Sequence, residues 1–313
     1  MTAQKILITG GAGYIGSRLT PHLLKLGYHV TVIDSLLFNQ SSLLECCSKP
    51  NFRFINGDIT NSHLIEYELK DKDIIIPLAA IVGAPACNYN KTMTKKINLT
   101  AYKFLLSKIK KNQKLIFPNT NSGYGIGKKT EYCDEDSPLK PISDYGKYKV
   151  AIEQIILKKN KGITLRLATV FGSSPRMRTD LLVNDFVLKA VTDRSIILFE
   201  SHFRRNFIHV LDVVSAFVFA IKNYDIMRGQ TYNIGLSSAN LTKMQLAKKI
   251  QKLIPNTYIH EAMIGNDPDK RDYIVSNKKI ESIGWKAKYS LDFGIKELIK
   301  VYTILKTNSF TNI

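Results

Sequence analysis

Thr9-Gly10-Gly11-Ala12-Gly13-Tyr14-Ile15-Gly16 follows directly on the apolar run Lys5-Ile6-Leu7-Ile8, and from it Ile15, Leu19, Leu23 and Leu26 recur at helical spacing. A buried strand, a glycine-rich turn and an amphipathic helix in that order predict a βα unit that stops at Gly27. Pro21 falls inside the helix, an irregularity the sequence does not explain. Gly10, Gly13 and Gly16 permit a tight turn, close approach of backbone to a pyrophosphate and close packing of helix on strand, while the helix amino terminus offers free N–H groups to an anion. With Tyr14 and Ile15 they form the candidate cofactor loop. A second strand, His29-Val30-Thr31-Val32-Ile33, ends at Asp34, about 20 residues on, where a carboxylate can accept hydrogen bonds from a ribose 2′-hydroxyl. That pattern favours NAD over NADP, because Asp34 would repel a 2′-phosphate, and Arg18 is then a surface charge. The alternative for Asp34 is a solvated turn residue.

Strand-like segments recur at Phe52-Arg53-Phe54-Ile55, Asp73-Ile74-Ile75-Ile76, Lys114-Leu115-Ile116-Phe117 and Ile163-Thr164-Leu165-Arg166-Leu167, with helical patterns between them. Such alternation predicts an α/β protein with a Rossmann-type doubly wound parallel sheet. Asp58, after the third strand, is placed to accept from an adenine amino group, and Ile59 to pack on the ring; both are also ordinary turn and core residues. From about Phe171 the regularity breaks into loops rich in Gly, Pro, Ser and Arg. The expected division is a dinucleotide-binding domain over 1–170 and a smaller C-terminal α/β substrate lobe over 171–313. Helices at Leu211 to Asn223, Thr242 to Leu253 and Leu291 to Leu305 are expected to carry the chain back between the two. Ligands belong outside the carboxyl ends of the strands, in the crevice between the lobes.

The chain has 313 residues, 44% of them apolar, enough for a full core. No stretch has the length of a membrane span and no targeting segment is visible, so the expected compartment is the cytoplasm and no membrane partner is implied. Cys46, Cys47, Cys87 and Cys133 lack metal-ligand spacing and suit free thiols in a reducing compartment, with no metal site. The formal charge of +19 is spread over lysines on the polar faces of helices, without aromatic interleaving, so nucleic acid is not the expected partner. A diffuse positive field still favours an anionic small molecule.

Near the middle of the chain, Tyr145 precedes Lys149 by one helical turn. A phenol with its ordinary pKa of about 10 is a poor base near neutrality, and a neighbouring cation stabilises the phenolate. Pro118-Asn119-Thr120-Asn121-Ser122-Gly123-Tyr124-Gly125 follows a strand and so lies where substrate is expected. In order and spacing, Gly10 to Gly16, Asp34, Asp58, Leu78-Ala79-Ala80, Thr120, Tyr145-x-x-x-Lys149, Arg166 to Gly172 and Asn206-Phe207-Ile208-His209-Val210 resemble the extended short-chain dehydrogenases/reductases that act on nucleotide sugars. The resemblance covers nearly the whole chain.

That likeness implies NAD as cofactor and a nucleotide sugar as substrate. It makes Tyr145 the base at a sugar C4 hydroxyl, Lys149 the residue that holds the cofactor ribose and lowers the tyrosine pKa, and Thr120 the hydroxyl that orients the sugar. Leu78, Ala79 and Ala80 join the cofactor wall. Ser122, two residues from Thr120, is a second hydroxyl able to point inward; the spacing from Tyr124-Gly125 favours Thr120. The family's 4,6-dehydratases carry an Asp-Glu pair after the threonine, and here those positions are Asn121 and Ser122, neither a general acid or base. Oxidation at C4 remains, as a net reaction or as the first half of an epimerisation. A non-catalytic nucleotide sensor is a third reading, disfavoured by the intact Tyr145, Lys149 and Thr120.

A nucleoside diphosphate calls for guanidinium groups and oriented donors. Arg176, Arg178, Arg204, Arg205 and Arg271 are candidates, Arg205 and Arg271 the best matched, with Asn184 as an amide donor; Arg176 and Arg178 are equally readable as loop charges. A guanine base would need an acceptor such as Glu200. His209 is read as a structural residue before Asp212, and Trp285 as packing the last helices. The helices near Met93 to Ile109 and Asp144 to Ile156 have apolar stripes, which the resemblance assigns to a homodimer and which an internal interface would equally satisfy.

Overall fold

A computed structural model describes residues 3–128, 130–262 and 271–305. Its central sheet has seven strands: β1 Lys5–Thr9, β2 His29–Asp34, β3 Phe52–Asn56, β4 Ile74–Pro77, β5 Lys114–Thr120, β6 Ile163–Leu167 and β7 Thr231–Ile234. They lie in the order β7-β6-β5-β4-β1-β2-β3, every neighbouring pair parallel. The chain winds outward from β1 through β2 to β3, then returns to β4 on the other side of β1. This reversal opens a crevice at the carboxyl ends of β1 and β4.

Both faces of the sheet are covered because side chains alternate along each strand. From β1, Ile6 and Ile8 point into a core with Leu19 and Leu23 of helix α1 (Gly16–Lys25) and with Val213 and Phe217 of the Val210–Lys222 helix. Leu7 points the other way, toward Ile65, Tyr102, Leu105, Ile152 and Ile156. Helix α1 runs through Pro21 and ends where Gly27 takes φ +87°. The two stripes expected on the middle helices thus meet in one core inside the chain: Ile97, Ala101 and Tyr102 pack with Ile152 and Ile156.

A second core, around Phe171, Phe186, Phe207, Leu246 and Ile295, holds the other lobe together. Strands Thr169–Phe171, Arg204–His209 and Asn240–Thr242 form one small sheet there, and Ser195–Leu198 pairs with Tyr258–Glu261 in another. Of the three later helices expected to cross between lobes, only Val210–Lys222 lies on the main sheet. Lys243–Leu253 and Leu291–Ile304 turn their apolar residues to the Leu182–Thr192 helix and belong to the second core. Trp285 packs in the first core and donates from Nε1 to Ser215 Oγ at 3.0 Å. His209 caps the Val210–Lys222 helix by accepting from Leu211 N and bonds Glu297 through Nε2 at 2.9 Å. The four cysteines are free thiols.

Candidate active site

A cleft of about 540 Å³ opens at the carboxyl ends of the strands, between the two cores. At its floor, Gly10 adopts φ +71°, and a Cβ there would sit 2.5 Å from the Ala79 backbone. A Cβ on Gly16 would sit 2.4 Å from the Gly11 carbonyl oxygen. No other residue lets the loop close this tightly on the segment after β4, so the glycines expected from sequence have a steric cause. Gly10, Gly13, Tyr14, Ile15 and Gly16 all line the cleft, opposite Leu78, Ala79 and Ala80. The Tyr14 hydroxyl points away from that cavity, donating to Gly172 O at 2.7 Å, which ties the loop to the second lobe.

Asp34 lines the same end and is buried. Its Oδ2 accepts from Ala12 N at 2.9 Å, and its Oδ1 from Leu36 N at 2.9 Å and Gln40 Nε2 at 3.2 Å. Burial raises the carboxyl pKa, while the two backbone donors and Arg176 pull against that shift. Asp58 is held by Thr60 N at 2.7 Å, and Ile59 reaches the cleft from the core behind it. Arg18 lies outside the lining residues and braces Ser173 through Nε and Nη2.

On the opposite wall, Ser143 caps the Asp144–Lys158 helix by accepting from Gly146 N, which starts the helix at the cleft. Tyr145 and Lys149, one turn apart, both line it. Lys149 is 3% exposed, donates from Nζ to Pro118 O at 3.0 Å and stands 4.6 Å from the Phe117 ring centroid. With so little water around it, its ammonium loses stability and its pKa falls to about 7. The Tyr145 hydroxyl is moved upward, first by burial and then by the nearby Cys87; Arg178 and Arg271 oppose the shift. Lys149 lies 6.0 Å from the tyrosine ring centroid and is turned to Pro118.

Thr120, at the end of β5, lines the cleft, and its Oγ1 accepts from Ser122 N at 3.1 Å. Ser122 lines it too, with a buried Oγ lacking a hydrogen-bond partner among the described residues. Asn121 does not reach the cleft. It is 1% exposed, and both its amide atoms are buried without a hydrogen-bond partner among the described residues.

The substrate candidates divide. Arg178, Arg205 and Arg271 line the cleft, and Arg178 is paired with Asp180. Asn184 does not line it: fully buried, it accepts from Gly172 N at 3.1 Å and donates to Arg178 O at 2.9 Å, shaping the loop that carries Arg178. Glu200 is also outside the lining, in a turn with φ +44° whose carbonyl accepts from Phe203 N. Arg176 does line the cleft, 4.9 Å from the Phe38 ring centroid, and interacts electrostatically with Arg178, Asp180 and, less, Asp34. The sequence reading missed Phe38, Gln40, Lys243 and Tyr273 as lining residues. Only Gln40, a polar residue soon after the acid that ends β2, carries any local signal. The stretch Asp267-Pro268-Asp269-Lys270 lies outside the described residues.

Among the described residues, no group of three or more His, Cys, Asp or Glu side chains is arranged to hold a metal, and no helix is long and apolar enough to cross a membrane. The glycine cradle, the buried acid at the end of β2 and the walls at Asp58 and Leu78–Ala80 fit a dinucleotide. Residues 6–235 match the NAD dependent epimerase/dehydratase family, and the chain belongs to it. It is 28% identical over 321 residues to human dTDP-D-glucose 4,6-dehydratase, covering 96% of this chain and 90% of that one. It is 29% identical over 320 residues to UDP-glucose 4-epimerase of Lactobacillus helveticus, covering 91% and 93%. The solved UDP-glucuronic acid 4-epimerase of Bacillus cereus, in complex with UDP-glucuronic acid and NAD, superposes with a TM-score of 0.85 at 25% identity, covering 96% of this chain and all of that one.

Proposed function

We propose that this protein oxidises C4 of a nucleotide-activated sugar with NAD, and that the sugar is GDP-D-glycero-α-D-manno-heptose, giving the GDP-4-keto-heptose used for capsular polysaccharide. The observation that carries the reaction type is the convergence of Tyr145, Lys149 and Thr120 on the cleft that holds the glycine loop and Asp34. Bound NAD supplies a positive charge and the carbon that takes the C4 hydride. Tyr145 removes the C4 hydroxyl proton, so that one proton and one hydride leave and a ketone remains. Thr120 and Ser122 offer hydroxyls to the sugar, and Arg205 and Arg271 offer guanidinium groups to its diphosphate. Asn121 and Ser122 provide no acid or base for loss of the C6 hydroxyl, which separates this site from a 4,6-dehydratase.

The choice of heptose rests on sequence likeness. Ile76 to Pro85, Pro118 to Gly127, Ser174 to Arg178, Leu181 to Phe186, Phe199 to Arg205 and Asp267 to Tyr273 resemble the GDP-heptose 4-dehydrogenases of bacterial capsular heptose pathways. The same likeness supports tightly held NAD whose reduced form is re-oxidised in place by a second carbonyl substrate such as 2-oxoglutarate, and supports a homodimer or higher homo-oligomer. A nucleotide-sugar 4-epimerase on a UDP- or GDP-sugar is the second reading, favoured by the epimerase relatives. Incubation with GDP-heptose and 2-oxoglutarate separates them. The dehydrogenase yields a C4 ketone, and recovery of a C4-inverted sugar alone would remove this reading.

A further inference from the structure

We infer that Arg176, carried by the second lobe, binds the dinucleotide cofactor at its adenosine ribose and pyrophosphate end, and does not bind the diphosphate of the sugar nucleotide. The backbone of its loop is fastened to the cofactor cradle. Arg176 N donates to Ser17 Oγ at 3.3 Å, in the first turn of α1, and Ser174 Oγ donates to Tyr14 O at 2.7 Å and lies 2.8 Å from Ser17 Oγ. The guanidinium lies 4.9 Å from the centroid of Phe38, which also lines the cleft four residues after Asp34. Arg176 acts electrostatically on Asp34, the acid expected at the ribose, though less than on Arg178 and Asp180.

Two residues later, Arg178 pairs with Asp180 and acts on Tyr145 as well as on Arg176 itself, so the two guanidinium groups are neighbours along the cleft. Arg176 is the one of the two that stands by Phe38, and the sugar-side diphosphate is left to Arg205 and Arg271. Arg176 is only 5% exposed, so a phosphate or ribose oxygen reaching it meets a poorly hydrated planar donor set, the setting in which a charge-assisted bond is strongest. Because the arginine and the glycine loop sit on different lobes, the cofactor would bridge both.

The inference rests on the NAD part of the proposed function and is independent of the sugar. Nucleotide-free full-length protein is titrated by calorimetry with NAD and, separately, with GDP. Arg176→Ala is expected to weaken NAD by about tenfold or more while GDP changes by less than about threefold. Phe38→Ala, at a 37% exposed residue, should weaken NAD by a smaller factor and leave GDP alone. Unchanged NAD affinity in Arg176→Ala, or a larger loss for GDP than for NAD, overturns the assignment. Should the arginine variant not fold, unchanged NAD affinity in Phe38→Ala overturns it instead. Failure of the wild type to bind GDP would count against the sugar-nucleotide reading while the NAD titrations still decide this one.

Discussion

Lys149 and Tyr145 occupy one helical face, yet the lysine ammonium is bonded to the Pro118 carbonyl and stands 6.0 Å from the tyrosine ring centroid. The lysine therefore holds the end of β5, and with it Thr120, at a fixed distance from the helix that carries the phenol. The elements that carry Tyr145 and Thr120 are joined through this hydrogen bond and through the one from Asn119 to Glu153.

Tyr145→Phe should fold normally and bind NAD as the wild type does, because the lost hydroxyl makes no hydrogen bond among the described residues. Oxidation of the nucleotide sugar should fall by at least about 10²-fold, the scale of a lost general base. Steady-state turnover together with an NAD titration tests this, and near-wild-type turnover would assign the base elsewhere.

The lowered Lys149 pKa links stability to pH. Between about 7 and the ordinary lysine range near 10.4, the unfolded chain binds a proton that the folded chain does not, so this residue makes the fold more stable as pH rises through that window. Below about 7 both states are protonated and the linkage is flat. Urea unfolding of nucleotide-free wild type and Lys149→Met at pH 6.5 and pH 9 should show the difference shifting toward the wild type at the higher pH, by at most about 1.4 kcal/mol per pH unit. A constant difference would mean that the ammonium is better solvated than its surroundings indicate.

Asp34→Ala should weaken NAD more than NADP. The change removes the ribose acceptor but leaves Ala12 N, Leu36 N and the Gln40 amide directed at the vacated position. Parallel titrations with the two dinucleotides measure the preference, and an unaltered ratio would count against a ribose contact.

Glu153 accepts from Arg166, Asn119 and Thr164, and Arg166 also donates to the Tyr124 hydroxyl at 2.9 Å. Both charges of this pair are buried. Glu153→Ala leaves the guanidinium without its carboxylate and should cost about 3–5 kcal/mol of stability, measured by chemical denaturation. Since Asn119 Oδ1 accepts from Thr120 N at 2.8 Å, turnover should also fall in whatever fraction stays folded.

How far the sequence could be read depends on whether the signal was local. Gly10, Gly16 and Asp34 were legible because one turn and one strand end fix their geometry, and Tyr145 and Lys149 because helical spacing puts them on one face. Asn121, Asn184 and Glu200 were not, because the direction of a side chain in a short turn or loop is set by distant packing. Arg176 was equally readable as a phosphate binder or a loop charge, since only tertiary structure brings it to Phe38. β7, Thr231–Ile234, alternates polar and apolar residues over four positions and lacks the apolar run that marks β4, of equal length.

That last strand has a consequence for biosynthesis. The edge at Ile163–Leu167 waits for a partner made more than 60 residues later, and the Val210–Lys222 helix that shields Ile163 and Leu165 also emerges late. A nascent chain halted near residue 170 would present a raw, sticky border to the ribosome's surroundings, so a chaperone is best placed to act during exactly that interval of translation.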